Sequence, residues 1–169
     1  MMGMINTVRS IMDKTLSAVC SAMFAAMVCI GTYQIVTRYV FNSPSTISEE
    51  LLTYTFAWMA LLVSALVFGK REHMRVAFLA DKVTGKAKVC LEVLVELLVV
   101  AVALVVLFYG GLTIMQLTMT QKTASLGISM GLVYAVVPIT GAIIGLYGVF
   151  NIADLLTGNA RSSQRIEKE

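Results

Sequence analysis

Very few residues in this chain have the type and spacing that catalysis or metal binding requires. The sequence of 169 residues contains one histidine, His73, and three cysteines, Cys20, Cys29 and Cys90, with no C-x-x-C pair. This composition excludes a bis-histidine haem, a multi-histidine metal site and a dithiol redox centre. Cys20 and Cys29 are about half a turn apart around a helix, so they cannot form a disulfide with each other. The cysteines are therefore expected to pack as small apolar residues, and neither a metal nor a cofactor is predicted.

Two consecutive acids, Glu49 and Glu50, are stronger candidates for a role. They follow an Asn-Ser-Pro-Ser turn signal, and the T-x-x-E spacing that begins at Thr46 predicts a capping box. In that motif the Thr46 hydroxyl accepts a hydrogen bond from the Glu49 amide, and both acids lie at the positive end of the following helix. Arg38 is the nearest basic residue, so we expect it to pair with Glu49 or with Glu50.

The composition that surrounds these residues is typical of an integral membrane protein. Hydrophobic residues make up 58% of the chain and charged residues only 14%, with a mean hydropathy of +0.83, whereas soluble domains carry about 25% charged residues. Four apolar runs are long enough to cross the roughly 30 Å hydrocarbon core as helices. They cover about residues 16–36, 51–68, 93–115 and 130–150. We predict an all-α membrane protein with one four-helix domain over residues 1–155 and a polar cytoplasmic tail over residues 156–169.

The distribution of lysine and arginine predicts the orientation of these helices. Eleven basic residues fall in the two termini and in the segment between the second and third runs: Arg9, Lys14, Lys70, Arg71, Arg75, Lys82, Lys86, Lys88, Arg161, Arg165 and Lys168. The other two connections contain only Arg38 and Lys122. Because positively charged segments stay on the cytoplasmic side, both termini are expected to be cytoplasmic.

The basic segment between the second and third runs predicts a short amphipathic helix at the inner membrane surface. Its apolar residues recur with helical spacing at Val76, Leu79, Ala80 and Val83, and Gly85 ends the pattern. The third run begins a few residues later and contains one acid, Glu96. An acid at that depth is expected to reach the membrane surface or to pair with Lys88.

The fourth run contains the residues that predict an irregular helix. Pro138 removes an amide donor and frees the carbonyl of Tyr134, which predicts a kink. Gly141 and Gly145, with Gly148 one turn later, form a strip that allows another helix to approach closely. The first run carries a similar strip of small residues, which consists of Ala18, Ala22, Ala25 and Ala26.

The centres of the first, second and fourth runs contain no ionisable residue. A protein that moves a charged solute needs polar groups near the midplane, so this chain is not expected to hold a solute. It also lacks a Ser/His/Asp set for catalysis, and we expect no enzymatic activity. Trp58 and the many apolar side chains instead favour lateral packing against a larger membrane protein.

Several segments, in the order in which they occur, resemble one family of membrane subunits. They are Arg38-Tyr39-Val40-Phe41-Asn42, Ser48-Glu49-Glu50-Leu51, Phe56-Ala57-Trp58 and Glu72-His73-Met74-Arg75-Val76. Together with four predicted spans, this set is similar to the small, DctQ-like membrane subunit of tripartite ATP-independent periplasmic (TRAP) transporters. The resemblance covers roughly residues 10–155. Two positions depart from the family pattern, because Ile47 replaces a frequent tryptophan and Ala77 replaces a common aspartate.

The resemblance implies a bacterial inner-membrane subunit of a sodium-driven importer of an organic acid, such as sialic acid or a C4-dicarboxylate. A periplasmic protein would capture the solute, and a large subunit would carry it by an elevator motion while the small subunit widens the fixed scaffold. Glu49 and Glu50 would then fix the outer end of the second helix or touch the periplasmic protein. Arg71, His73 and Arg75 are assigned to the inner membrane surface or to the large subunit.

Two other functions remain open from the sequence. A small self-associating exporter of the four-helix multidrug type needs an acid in its first span, and the first run has none. A four-helix membrane enzyme of quinone, haem or thiol chemistry would need a second histidine or a C-x-x-C pair.

Overall fold

The structure, a computed structural model, describes residues 2–70 and 86–156 of the chain. These residues form six α-helices and one π-helical segment. In chain order they are α1 (Met2–Tyr39), α2 (Thr46–Gly69), α3 (Lys86–Val102), π1 (Ala103–Gly110), α4 (Gly111–Leu117), α5 (Met130–Tyr134) and α6 (Val136–Leu156). We call α3, π1 and α4 together the third span, and α5 and α6 the fourth span.

Four stretches of these helices are long and apolar enough to cross a membrane: Thr7–Tyr39, Thr46–Gly69, Val93–Leu117 and Met130–Ala153. The predicted all-α fold with four spans is therefore confirmed. The helices extend beyond the predicted apolar runs because polar residues end a hydropathy signal without ending a helix. Within the described ranges, the β-type pairing consists of one isolated bridge between Lys122 and Ser129.

Some predictions concern residues outside the described ranges. The amphipathic helix around Val76–Val83, the basic residues Arg71 and Arg75, and His73 belong to residues 71–85. The polar tail beyond residue 156 is outside them as well. The statements about these residues therefore remain predictions.

The spans form a row in which the fourth lies between the second and the third. α1 packs against α2, α2 packs against α6, and α6 packs along α3 and π1. The connections at residues 40–45 and 118–129 share one end of the row, which we call the loop end. The start of α1 and the end of α6 share the other end, which we call the termini end.

Burial is concentrated in the fourth span. In its most apolar stretch 44% of the residues are buried within the protein, against 6–11% in the other three spans. The apolar core contains Leu16, Cys20, Leu62, Ala65, Ala103, Val136 and Ile144. Many large apolar side chains of the other three spans are exposed on the surface of the chain, which is compatible with an apolar lipid environment. The fourth span therefore holds the other three together.

Glycine allows the fourth span to contact the backbone of the third. A β-carbon added at Gly141 would lie 2.6 Å from the Phe108 amide nitrogen and 2.9 Å from the Ala103 carbonyl oxygen, both in π1. At Gly145 it would lie 3.1 Å from Leu104. The strip predicted for close approach thus faces the third span of the same chain.

The fourth span is interrupted near its start, in the turn before Pro138. α5 ends at Tyr134 and α6 begins at Val136, two residues before the proline. Trp58 on α2 reaches this interruption, because its indole Nε1 donates a hydrogen bond to the Val133 carbonyl at 2.9 Å. The tryptophan therefore ties α2 to the turn in which the helix is broken.

Candidate functional site

At the loop end, one carboxylate organises the connection between the third and fourth spans. Each oxygen of Glu50 accepts two hydrogen bonds: Oε1 from the Tyr54 hydroxyl at 2.8 Å and the Ala124 amide at 3.1 Å, and Oε2 from the amides of Ser125 and Leu126, both at 2.8 Å. An ionised carboxylate has about four acceptor sites, so Glu50 is fully occupied within the chain.

The segment that Glu50 contacts is a tight hairpin between Met119 and Met130. The Thr123 amide donates to the Ile128 carbonyl at 2.8 Å, and the buried Thr123 hydroxyl accepts from the Ile128 amide at 3.2 Å. Gly127 has a φ of +67°, which side-chain-bearing residues rarely adopt. These contacts close the hairpin and direct the amides at its tip toward α2. We call residues 119–130 the outer hairpin.

Glu49, the neighbouring acid, has a different environment. Its carboxylate lies 3.7 Å from the Arg38 guanidinium, and the two side chains are 48% and 57% exposed. Of the two pairings that the sequence left open, the structure contains the one with Glu49. The ion pair links the end of α1 to the start of α2, but an exposed pair of this kind contributes little to stability.

The capping box predicted at Thr46 is wrong by one residue. The N-cap of α2 is Ser45, whose hydroxyl oxygen accepts hydrogen bonds from the Ser48 amide at 3.4 Å and the Ser48 hydroxyl at 2.9 Å. Thr46 is already the first helical residue. The adjacent S-x-x-S and T-x-x-E patterns both offer an N-cap, and Ser45, with extended backbone angles, takes that position.

At the termini end, a chain of side-chain hydrogen bonds crosses three helices. Arg9 on α1 donates to the Asn151 side-chain oxygen at 2.9 Å, and the Asn151 amide donates to Glu96 on α3 at 2.6 Å. Asn151 on α6 is only 1% exposed. An amide suits this position because it offers an acceptor to the cation and a donor to the acid. Glu96, which the sequence assigned to the surface or to Lys88, is thus bonded to the fourth span.

A second contact between α1 and α6 lies one helical turn away. The Tyr147 hydroxyl donates to the Asp13 carboxylate at 2.6 Å, and the tyrosine is completely buried. Its ring lies against Gly69, where an added β-carbon would be 2.6 Å from ring atoms. Tyr147 therefore joins α1 to α6 through its hydroxyl and α2 to α6 through its ring. We call Arg9, Asp13, Glu96, Tyr147 and Asn151 the inner polar cluster.

Of these five residues, the sequence analysis considered only Glu96 for a polar contact, and it used Arg9 only to predict the orientation. The sequence does contain a pattern that indicates this cluster: Arg9 and Asp13 are four residues apart, as are Tyr147 and Asn151. When two helices are antiparallel, a polar pair at the start of one apolar run lies beside a polar pair with the same i, i+4 spacing at the end of the other. Hydropathy alone does not show that match.

The rest of the surface of the described residues offers few groups suited to catalysis or ligand binding. Two of its grooves have volumes of about 220 and 390 Å³, and both are lined by apolar side chains, most of them from the third span. Groups of three or more potential metal ligands are absent from residues 2–70 and 86–156. The polar clusters at both ends connect segments of this chain to one another.

Comparison with known proteins agrees with this description. Residues 27–158 match the family model described as "Tripartite ATP-independent periplasmic transporters, DctQ component". The chain is 27% identical, over 95% of its length and 94% of the relative, to the sialic acid TRAP transporter small permease protein SiaQ of Vibrio cholerae. It is 26% identical to a putative TRAP transporter small permease protein of Haemophilus influenzae, over 83% of this chain and 87% of the relative.

A larger protein also contains a related stretch. The sialic acid TRAP transporter permease protein SiaT of Haemophilus influenzae is 31% identical over 88 residues, which are 52% of this chain and 14% of that protein. The family match covers most of the four-span unit, and the two small relatives align over 94% and 87% of their own lengths. The chain therefore belongs to the DctQ component family of the TRAP transporters, as a small permease subunit.

Proposed function

We propose that this chain braces the large permease subunit of a sodium-coupled TRAP transporter that imports an organic acid, and that it holds no solute itself. The observation that carries the proposal is the uneven burial of the four spans. The fourth span is 44% buried in its most apolar stretch and the others only 6–11%, so those three present apolar flanks to lipid or to a larger neighbour. The polar side chains at both ends are engaged in contacts within the chain.

The alignment with SiaT supports a neighbour of this kind. A stretch related to half of this chain makes up 14% of a permease polypeptide, so in that protein the related unit is covalently joined to a much longer remainder. A unit that works beside a large permease can be either a separate chain or a fused segment. We infer that the large permease subunit is the main partner here.

The substrate class rests on the names of relatives. Two of them, SiaQ and SiaT, are named for sialic acid, and a carboxylate-bearing sugar is the solute that we propose first, with a C4-dicarboxylate as the alternative. Sodium coupling and an elevator motion of the large subunit are proposed from the family resemblance. In an elevator the static part must resist being dragged, and additional lipid-facing helices would increase that resistance.

We further propose that the termini end faces the cytoplasm of a bacterial inner membrane. Arg9, Lys14 and Lys70 lie at the termini end, whereas Arg38 and Lys122 lie at the loop end, and the positive-inside rule favours the first group for the cytoplasm. The loop end would then face the periplasm, where direct contact with a solute-binding protein is possible.

Reconstitution in liposomes tests the bracing role. We expect sodium-dependent sialic acid uptake with the large subunit, the binding protein and this chain together, and no uptake with this chain alone. Saturable, gradient-driven uptake by the isolated chain would contradict the proposal and would favour an exporter-like or transporter activity of its own.

A pair of glycine variants makes the test specific for the packed four-span unit. Gly141→Ala places a β-carbon 2.6 Å from the Phe108 amide nitrogen of π1, so we expect loss of co-purification with the large subunit and loss of uptake. Gly110→Ala is the matched control, because a β-carbon there meets only the Val105 carbonyl oxygen at 3.7 Å. Equal uptake with both variants would show that the packed unit is not what the transporter needs.

A further inference from the structure

The tip of the outer hairpin presents three consecutive backbone amides to a single point. The amide nitrogens of Ala124, Ser125 and Leu126 all lie within 3.1 Å of the Glu50 carboxylate oxygens. Successive amides that converge in this way form an anion-binding concavity, because their dipoles add at its centre. The Tyr54 hydroxyl supplies a fourth donor from α2.

We propose that residues 124–126, together with Tyr54, form a carboxylate-binding nest whose built-in ligand is the Glu50 side chain. The shape of the outer hairpin then depends on a carboxylate in the nest rather than on a covalent link to α2. The ligand class is a compact carboxylate, since two oxygens must each accept two hydrogen bonds. This inference concerns the chain itself and is independent of the proposed function.

Two features argue that Glu50 is more than a favourable charge at a helix start. An acid that only interacts with the helix dipole would resemble Glu49, which is half-exposed and lies beside a surface arginine. Glu50 instead reaches a segment more than 70 residues away in the sequence and uses both oxygens there. A neutral amide could not replace it, because its NH₂ group would face two donors.

Chemical rescue tests the nest directly. The substitution Glu50→Ala removes a CH₂–COO⁻ group, and acetate has the same size and charge as the deleted part. We would measure hydrogen exchange of the peptide covering residues 119–130 in the full chain in lipid nanodiscs, with sodium acetate or with sodium chloride at equal ionic strength. Glu49→Ala is the matched control, because it removes an adjacent acid that does not contact the hairpin.

In Glu50→Ala we expect exchange of the hairpin-tip amides to accelerate about tenfold, since three hydrogen bonds to a charged acceptor are lost. Acetate should restore protection in a saturable manner and chloride should not. Glu49→Ala should exchange like the original chain in both salts. Unchanged protection in Glu50→Ala, or acceleration that acetate does not reverse, would overturn the proposal.

A second variant keeps the inference testable if Glu50→Ala does not fold. Glu50→Gln fills the same volume but provides one acceptor oxygen, so we expect faster exchange at the tip and no response to acetate, because the amide side chain blocks the nest. Protection equal to that of the original chain in Glu50→Gln would show that the carboxylate is not required.

Discussion

The two ends of the spans hold charged groups in different ways. At the loop end, Glu50 is satisfied by backbone amides of one nearby hairpin, in a region that water can reach. At the termini end, Arg9 and Glu96 are joined through Asn151, a side chain that is 1% exposed and belongs to a third helix. One end therefore shapes a loop, and the other fixes how helices lie against each other.

The difference predicts what happens when one member of each cluster is removed. At the loop end, the amides that are released can hydrogen-bond to water, so the consequence should remain local. At the termini end, the partners of a deleted group stay near apolar surroundings, where an unsatisfied polar or charged group costs much more. Four substitutions test this contrast, from the largest expected effect to the smallest.

Asn151→Leu should have the largest effect, because leucine has a similar volume but cannot bond to Arg9 or Glu96. We expect a loss of about 3 kcal/mol in the free energy of unfolding, as for charged groups deprived of a buried partner. Denaturant titration in mixed micelles, followed by circular dichroism, measures it. Val149→Leu, on the exposed side of the same helix, should have almost no effect, and equal losses in both variants would refute the role of the cluster.

Tyr147→Phe should have a smaller effect at the same end. The ring stays against Gly69, and only the hydrogen bond to Asp13 is lost, so we expect about 1–2 kcal/mol of destabilisation. The same titration measures it, with Tyr134→Phe as the control for loss of a tyrosine hydroxyl at the loop end. If Tyr147→Phe is as stable as the original chain, the contact with Asp13 does not hold α1 in place.

Tyr54→Phe should change only the outer hairpin. The substitution removes one of four donors to Glu50, and we expect amide exchange at residues 124–126 to accelerate about two- to threefold, with no change in the global unfolding midpoint. Hydrogen exchange resolved by peptide measures the local protection, and denaturant titration measures the midpoint. A large shift of the midpoint would mean that the two ends are not separable.

Arg38→Gln should have the smallest effect, since the pair with Glu49 is long and exposed. We expect a change below about 0.5 kcal/mol in unfolding free energy. Glu49→Gln should match it within error. A much larger loss in either variant would show that this pair matters more than its exposure indicates.

The sequence predicted the parts of the fold that depend on hydropathy and on breaker residues. The four spans follow from apolar runs of membrane-crossing length, and the interruption near Pro138 follows from a missing amide. The contacts of Glu50 could not be predicted, because they depend on the backbone path of residues 119–130, which contain no periodic pattern. Asn151 was missed for a related reason: a single amide near the end of an apolar run gains significance only when its neighbours across the row are known.

The π-helical segment was also not foreseen. Residues 103–110 are an apolar run like any other in the sequence, with glycine only at the last position. The backbone of this segment lies against Gly141 of the fourth span, so it is a point of close contact between two helices. Pairwise packing of this kind is not encoded in any one segment.

The central place of the fourth span has a consequence for the order in which the protein assembles. Chains leave the ribosome from the amino terminus, so α1, α2 and the third span enter the membrane before the fourth span, which lies between the second and the third. The hydrogen bonds that Tyr147 and Asn151 make to Arg9, Asp13 and Glu96 can therefore form only after the fourth span has entered the membrane. The last helix to be synthesised is the one that completes the contacts of those made earlier, so truncation after the third span should leave an insertion intermediate for quality-control proteases to remove.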